Sequence, residues 1–284
     1  MMISPYRLPD SELERLLHED APCGDATTFA LGISDQPGRL VFRARYPMVI
    51  CGSEEAQRMG ELHGMRSIGG FAASGQKLGA DETILTLEGD AASLHKLWKT
   101  AQTLMEYLSG IASSTAEIVA AARRVNPNIG IACTRKNFPG TKAAAIKAIL
   151  AGGASPHRLS LSETLLLFAE HRAFLGSESS STTVQRLRRA WPERAIVVEV
   201  GDEAEALCWQ QAGADILQLE KMQPDAVHCI KQGIPANSRT RIAAAGGINS
   251  ANAESYARAG ADILVTSAPY FAPPRDVAVM LTAL

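Results

Sequence analysis

An α/β protein with a parallel sheet, preceded by a smaller α+β domain, is what this sequence predicts, and three observations carry the prediction. Short apolar β-type runs at 129–133, 164–168, 195–200, 215–219, 241–245 and 262–266 alternate with helical stretches at 114–124, 141–151, 182–190, 203–212, 223–231 and 250–259. Six such alternations require parallel strands, closed as a barrel or doubly wound. The runs are apolar at successive positions rather than at every second one, as a sheet covered by helices on both faces demands. Finally, GADILQLE at 213–220 and GADILVTS at 260–267 repeat one helix-end, glycine-stop, strand unit. No GxGxxG or GxxxxGK[ST] marks an open nucleotide-binding sheet, which favours the barrel.

The elements follow in order. Residues 10–19 (DSELERLLHE) form an amphipathic helix, capped by Asp10 or Ser11, with Leu13, Leu16 and Leu17 as its apolar stripe. EDAPCGDATT at 19–28 is rich in turn residues and reads as a capped, solvated loop. Residues 38–51 alternate as two strands broken at Pro47, 53–63 form a capped helix, 83–88 a strand, and 91–108 a long helix bearing Trp98 and Lys99. This mixture lacks strict βα alternation and forms a separate domain over 1–108. From about Ser109 the alternation takes over. IGIAC at 129–133 ends directly in Thr134-Arg135-Lys136, and the helix at 141–151 is stopped by Gly152-Gly153.

Composition narrows the function. Hydrophobic residues at 46% and charged residues at 20% of 284 describe an ordinary globular protein, and a net charge of −2 gives no global case for nucleic acid or an anionic membrane. Any anion site is local. The five cysteines are scattered without a CxxC and the six histidines without HExxH, so zinc clusters and disulfide frameworks are not expected. The N-terminal stretch is too acidic for a signal peptide, no run approaches the ~18–20 apolar residues that span a bilayer, and a cytoplasmic protein is the expectation.

In parallel α/β folds ligands sit beyond the carboxyl ends of the strands. There the sequence places Arg135 and Lys136, then His157 and Arg158, with Lys142 and His171 in the same stretch. Such a cluster is either a site for a small, multiply charged anion or a solvated basic loop. Glu199 lies inside an apolar strand, and Glu220 follows another. A buried carboxylate needs a partner: the pair either holds Mg²⁺, which takes one or two carboxylates plus substrate phosphates, or forms salt bridges in the barrel. Gly246-Gly247-Ile248-Asn249, before a helix expected from Ser250, and Thr266-Ser267 after the next strand fit a phosphate position common in barrels.

TRKNFPGTK, GGASPHRLSLSE and the following His171 resemble the quinolinate phosphoribosyltransferase (nicotinate-nucleotide pyrophosphorylase) superfamily, over nearly the whole chain. EDAPCGDATT, CGSEEA, WKTAQTLMEYLSGIASST, QLEKMQP and VTSAPYFAPPRD resemble in particular the branch associated with molybdate-transport genes. The resemblance implies an N-terminal α/β sandwich domain, an incomplete α/β barrel over 109–270, and a segment at 271–284 returning to the first domain. It implies a cytoplasmic homodimer whose sites are completed across the interface, transferring ribose 5-phosphate from phosphoribosyl pyrophosphate to a small nitrogenous acceptor with Mg²⁺. By position, Arg135, Lys136, His157 and Arg158 match acceptor-binding residues, with His171 a further substrate-binding candidate. Glu199 and Glu220 match catalytic and metal carboxylates. Gly246, Gly247 and Ser267 lie in phosphate loops, with Lys142 a further phosphate-binding candidate, and Lys99 stands where the family has an arginine that reaches the partner's site. The family's strand lysine is Phe168 here, its following asparagine Glu170, and the glutamate before its Ser-Gly-Gly Ala243. With one cation fewer and one acid more, the expected acceptor is less anionic than quinolinate. The alternative is a catalytically degenerate relative that binds an oxyanion or nucleotide in molybdate uptake.

Overall fold

The computed structural model describes residues 6–284, and the first five residues of the N-terminal stretch lie outside it. In chain order the elements are α1 (Asp10–Asp20), α2 (Ala26–Ala30), β1 (Pro37–Ala44), β2 (Met48–Val49), α3 (Ser53–Leu62), β3 (Arg66–Phe71), β4 (Lys77–Leu78), β5 (Thr83–Asp90) and α4 (Ala91–Arg123). There follow β6 (Gly130–Cys133), α5 (Lys142–Ala151), β7 (Ser155–Pro156), β8 (Leu165–Leu167), α6 (Ala169–Arg172), α7 (Ser180–Ala190), β9 (Ile196–Val200) and α8 (Glu203–Gln211). The chain ends with β10 (Ile216–Glu220), α9 (Pro224–Gly233), β11 (Arg241–Ala245), α10 (Ala253–Arg258), β12 (Ile263–Thr266), a 3₁₀ turn (Ala268–Phe271) and β13 (Val277–Ala283). Two compact units divide it. One comprises Met1–Ala116, Phe138–Gly153 and Pro269–Leu284, the other Glu117–Asn137 and Ala154–Ala268.

The first unit is built on an antiparallel sheet in the order β13-β1-β5-β3, with β13 running along β1 from Gly38↔Ala283 to Ala44↔Val277. Leu40, Phe42, Leu85 and Leu87 on its buried face join Leu13 and Leu17 of α1, Met59 of α3 and Leu94, Leu97 and Met105 of α4 in one core. The expected loop at 19–28 contains the short α2, where Asp25 accepts the Thr28 amide at 2.8 Å. β3 escapes the periodicity reading because RSIGGF carries two glycines at positive φ and few apolar side chains.

Two readings of this region differ from the structure. The helix does not end at 108 and restart at 114: α4 is continuous for 33 residues. Ser109 and Gly110 are small for packing reasons rather than as a break. The Ser109 and Ser113 hydroxyls accept the amides of Cys51 and Val49 at 3.0 and 2.9 Å, and a Cβ on Gly110 would lie 2.4 Å from the Pro273 carbonyl oxygen. Likewise α5, grouped above with the barrel, belongs to the first unit. Its Lys147, 2% exposed, is ion-paired to Glu55 and, at 2.9 Å, to Glu54 of α3.

The second unit is the parallel α/β half-barrel that the sequence predicts. All six expected strands form, and the two-residue β7 makes a seventh; it is too short to leave a periodic signal. The order is β7-β6-β12-β11-β10-β9-β8, and β7 and β8, adjacent in sequence, stand unpaired with one another at the two ends, leaving the barrel incomplete. Ala132, Leu166, Val197, Ile216, Ala243, Ala245 and Val265 fill one face. The register sets Glu199 opposite Gln218 and Gln218 opposite Ala243. Alanines at 132, 243 and 245 are too short to fill the interior near the strand ends, and a cavity opens there.

Candidate active site

That cavity has a volume of about 550 Å³ and lies wholly within the second unit. One wall is cationic. β6 delivers Thr134, Arg135 and Lys136, and β7, hydrogen-bonded through the His157 amide to the Cys133 carbonyl at 2.8 Å, delivers His157 and Arg158. Arg158 is 8% exposed and has no acidic partner among the described residues. Its guanidinium lies 5.6 Å from the Phe168 ring centroid, and burial followed by the charge of Arg135 pulls its pKa down. A cation–π contact contributes about 2 kcal/mol at best when desolvated, while an ion removed from water costs several kcal/mol. The deficit is what a bound anion would offset. His157 is pushed down by burial and then by Arg158, so its imidazole is neutral at pH 7.

The facing wall is acidic. Glu199 and Glu220 both line the cavity, and the Glu199 carboxyl is raised, first by burial and then by Glu220, with Glu170 adding to it. Gln218 donates from Nε2 to Glu199 Oε2 at 2.9 Å, yet its own Oε1, on a residue 5% exposed, has no partner. Arg172 donates to the Glu199 carbonyl at 2.6 Å and to Glu205 at 3.1 Å, which fixes the backbone, and its charge offsets only a small part of the rise at the Glu199 carboxyl. Among the described residues no three His, Cys, Asp or Glu side chains converge as a metal cluster. Two carboxylates and one orphaned amide oxygen are a hard, oxygen-only donor set of the sort that Mg²⁺ accepts when phosphates supply the rest.

Between the walls lies the third component. Gly246 and Gly247 have φ of +89° and +79°, a backbone that L side chains rarely adopt. Thr266 ties this turn down by donating to the Ile248 carbonyl at 2.6 Å while accepting the Ala268 amide at 3.0 Å, so the Gly246–Asn249 and Ser267 loops line the cavity together. The helix expected from Ser250 begins only at Ala253, because Asn249 and Asn252 hydrogen-bond the local backbone: the Asn249 amide donates to Asn252 Oδ1 and the Ala251 amide to Asn249 Oδ1, both at 2.9 Å. The glycine turn, not a helix end, is therefore the available cradle.

Of the residues singled out from sequence, Arg135, Lys136, His157, Arg158, Glu199, Glu220, Gly246, Gly247 and Ser267 meet in this cavity. His171 does not. Its Nδ1 accepts the Phe168 amide at 3.0 Å, its ring stacks on Phe168 at 5.7 Å, and it lines a neighbouring apolar groove. Lys142 and Lys99 belong to the first unit: Lys142 opens α5, and Lys99 is exposed on α4, with Nζ 3.0 Å from Gln102 Oε1. Sequence reasoning passed over Gln218, for which a lone glutamine in ILQLE was the available signal; Lys221 was legible only as the residue that follows Glu220 at the end of a strand. Cys133, beside the cationic loop, is no nucleophile, since burial pushes its thiol up to about 12.

Comparison with known proteins shows the family. Residues 25–109 match the model of the quinolinate phosphoribosyl transferase N-terminal domain, and residues 111–280 that of its C-terminal domain. The protein ModD of Rhodobacter capsulatus, by its name a pyrophosphorylase, is 46% identical over 90% of this chain and 98% of its own. A carboxylating nicotinate-nucleotide pyrophosphorylase, so named, of Methanothermobacter thermautotrophicus is 31% identical over 89% and 91%. Among solved structures, NadC from Streptococcus pyogenes superposes with a TM-score of 0.88 at 25% identity, over 100% of this chain and 99% of that one.

Proposed function

This chain belongs to the quinolinate phosphoribosyltransferase family, and on that premise we propose that it transfers ribose 5-phosphate from phosphoribosyl pyrophosphate to a ring nitrogen of a small anionic acceptor other than, or in addition to, quinolinate. The observation that carries the reading is the division of one cavity into a cationic wall with a buried Arg158 that has no acidic partner among the described residues and an acidic wall holding Glu199 and Glu220. An anionic acceptor and an anionic donor repel each other in water. Each contact between unit charges at an effective dielectric near 20 is worth roughly 4 kcal/mol before desolvation, so a few cations suffice to hold both.

In this reading Arg135, Lys136, His157 and Arg158 take the acceptor, and the Gly246–Gly247 turn with Ser267 takes the 5-phosphate. The C1–O bond to pyrophosphate breaks, the electron pair leaves on pyrophosphate, and the C1–N bond forms. Glu199 and Glu220 stabilise the positive charge that develops at C1, and positioning and electrostatics do the rest. Glu199, Glu220 and the Gln218 carbonyl suit Mg²⁺, which when bound would neutralise charge on the departing pyrophosphate. Lys99, exposed on α4, is assigned to the site of a second copy in a homodimer.

Phe168 presents an aromatic face at the cavity, and Glu170 adds negative charge near Glu199. Both disfavour a second carboxylate on the acceptor. Incubation with phosphoribosyl pyrophosphate, Mg²⁺ and quinolinate should therefore give slow turnover that Phe168→Lys improves; a family-normal rate in the wild type would refute the altered specificity. The rival reading, an oxyanion-binding accessory of molybdate transport, draws on Phe168 and Ala243, and calorimetry with molybdate against phosphoribosyl pyrophosphate separates the two.

A further inference from the structure

Two non-glycine residues among those described have positive φ, Asp81 at 62° and Lys221 at 57°. Asp81 is of a type that visits this region readily, since a short polar side chain can bond its own backbone. Lysine has no such compensation, and it lies directly after Glu220, at the mouth of the cavity. The conformation is held in place: the Lys221 amide donates to the Ala245 carbonyl at 2.8 Å, and Met222 is buried immediately beyond. The side chain is thereby folded back over the end of β11. A Cβ on Gly246 would fall 2.6 Å from Lys221 Cγ and 2.8 Å from its amide nitrogen, so the lysine stem crosses the glycine turn at a point where only glycine leaves it room. Among the described residues Lys221 has no ion-pair partner, although Glu220 is its neighbour in sequence. Strain of this kind persists where the surroundings over-determine it, and it concentrates at ligand sites.

Resting on the phosphoribosyl transfer proposed above, we propose that Lys221 is the counter-ion of the ribose 5-phosphate group, held by its left-handed backbone so that its ammonium stands over the Gly246–Gly247 turn. The glycine amides supply hydrogen bonds on one side of the phosphate and Lys221 supplies charge on the other. The cations at Arg135 and Arg158, delivered by β6 and β7, remain for the other anionic groups.

The test uses the full chain and its Lys221→Gly, Lys221→Asn and Lys221→Arg variants, titrated calorimetrically with ribose 5-phosphate and, separately, with inorganic pyrophosphate. Glycine relieves the backbone strain, so Lys221→Gly should melt higher than the wild type while binding ribose 5-phosphate ~10-fold more weakly, the loss of one charged hydrogen bond. Lys221→Asn should lose the same affinity, Lys221→Arg should retain it, and pyrophosphate affinity should be unchanged in all three. Equal ribose 5-phosphate affinity in Lys221→Gly and wild type overturns the proposal, as does an equal loss for pyrophosphate or a wild type that binds no ribose 5-phosphate. Lysine-dependent ribose 5-phosphate binding in a protein that releases no pyrophosphate from phosphoribosyl pyrophosphate would support Lys221 and refute the transfer reaction instead.

Discussion

Glu199 is held where its charge is costly: burial and then Glu220 raise its carboxyl, and Gln218 only partly compensates. The raised value means that the folded protein binds this proton more tightly than the unfolded chain does. Its stabilising contribution is thus complete below the ordinary carboxylate range and is lost as pH rises through the raised folded value. Glu199→Gln mimics the protonated form at every pH. Its thermal stability should match the wild type in acid and exceed it increasingly towards neutral pH, and Mg²⁺ should narrow the gap by stabilising the wild type alone. A melting-temperature difference that does not vary with pH would contradict this. Glu199 itself was legible in the sequence as an acid inside an apolar strand. Gln218 was less so, because its relation to Glu199 depends on the strand register, and Lys221 could be placed at a strand end beside Glu220 while nothing in the sequence announced its positive φ.

At the level of elements, the helices and strands that bury a regular apolar pattern were readable, and those shaped by close approach were not. β8 to β12 stand within a residue or so of the expected strands, whereas α4 was cut at Ser109-Gly110 because the Pro273 backbone that makes Gly110 necessary is over 160 residues away. Nor does TKAAAIKAILA announce that Lys147 is buried. In the structure Lys147 sits between Glu54 and Glu55, where burial opposes the charge but the two carboxylates outweigh it and raise its pKa. Glu54 also accepts the Ser74 amide at 2.8 Å, and Glu55 the Leu8 amide at 3.3 Å, so the triad ties α5 and α3 to their surroundings in the first unit. Lys147→Ala leaves the buried Glu55 and the half-buried Glu54 without a cation and should cost ~3–5 kcal/mol, a fall of roughly 10 °C in melting temperature at this size. Combining Lys147→Met with Glu54→Gln and Glu55→Gln should recover most of the loss. A single-variant loss below ~1 kcal/mol, the range of an exposed pair, would show that the triad is not a stabilising unit.

For the whole molecule, residues scattered from 134 to 268 converge because a parallel sheet returns every strand in one direction, so each carboxyl end arrives at the same mouth. That is why motif spacing and strand ends together pointed to most of the cavity without any contact being known. His171 marks the limit of that logic: nearness in sequence does not bring its side chain into the cavity, and it is engaged with Phe168. No helix among the described residues is long and apolar enough to cross a membrane. The most direct measurement is pyrophosphate release from phosphoribosyl pyrophosphate and Mg²⁺, with candidate acceptors added one at a time, in the wild type and Glu199→Gln. The account predicts release that requires one acceptor and falls ~100-fold or more in the variant. Acceptor-dependent release at the wild-type rate in a folded Glu199→Gln protein, or no release with any acceptor, would contradict it.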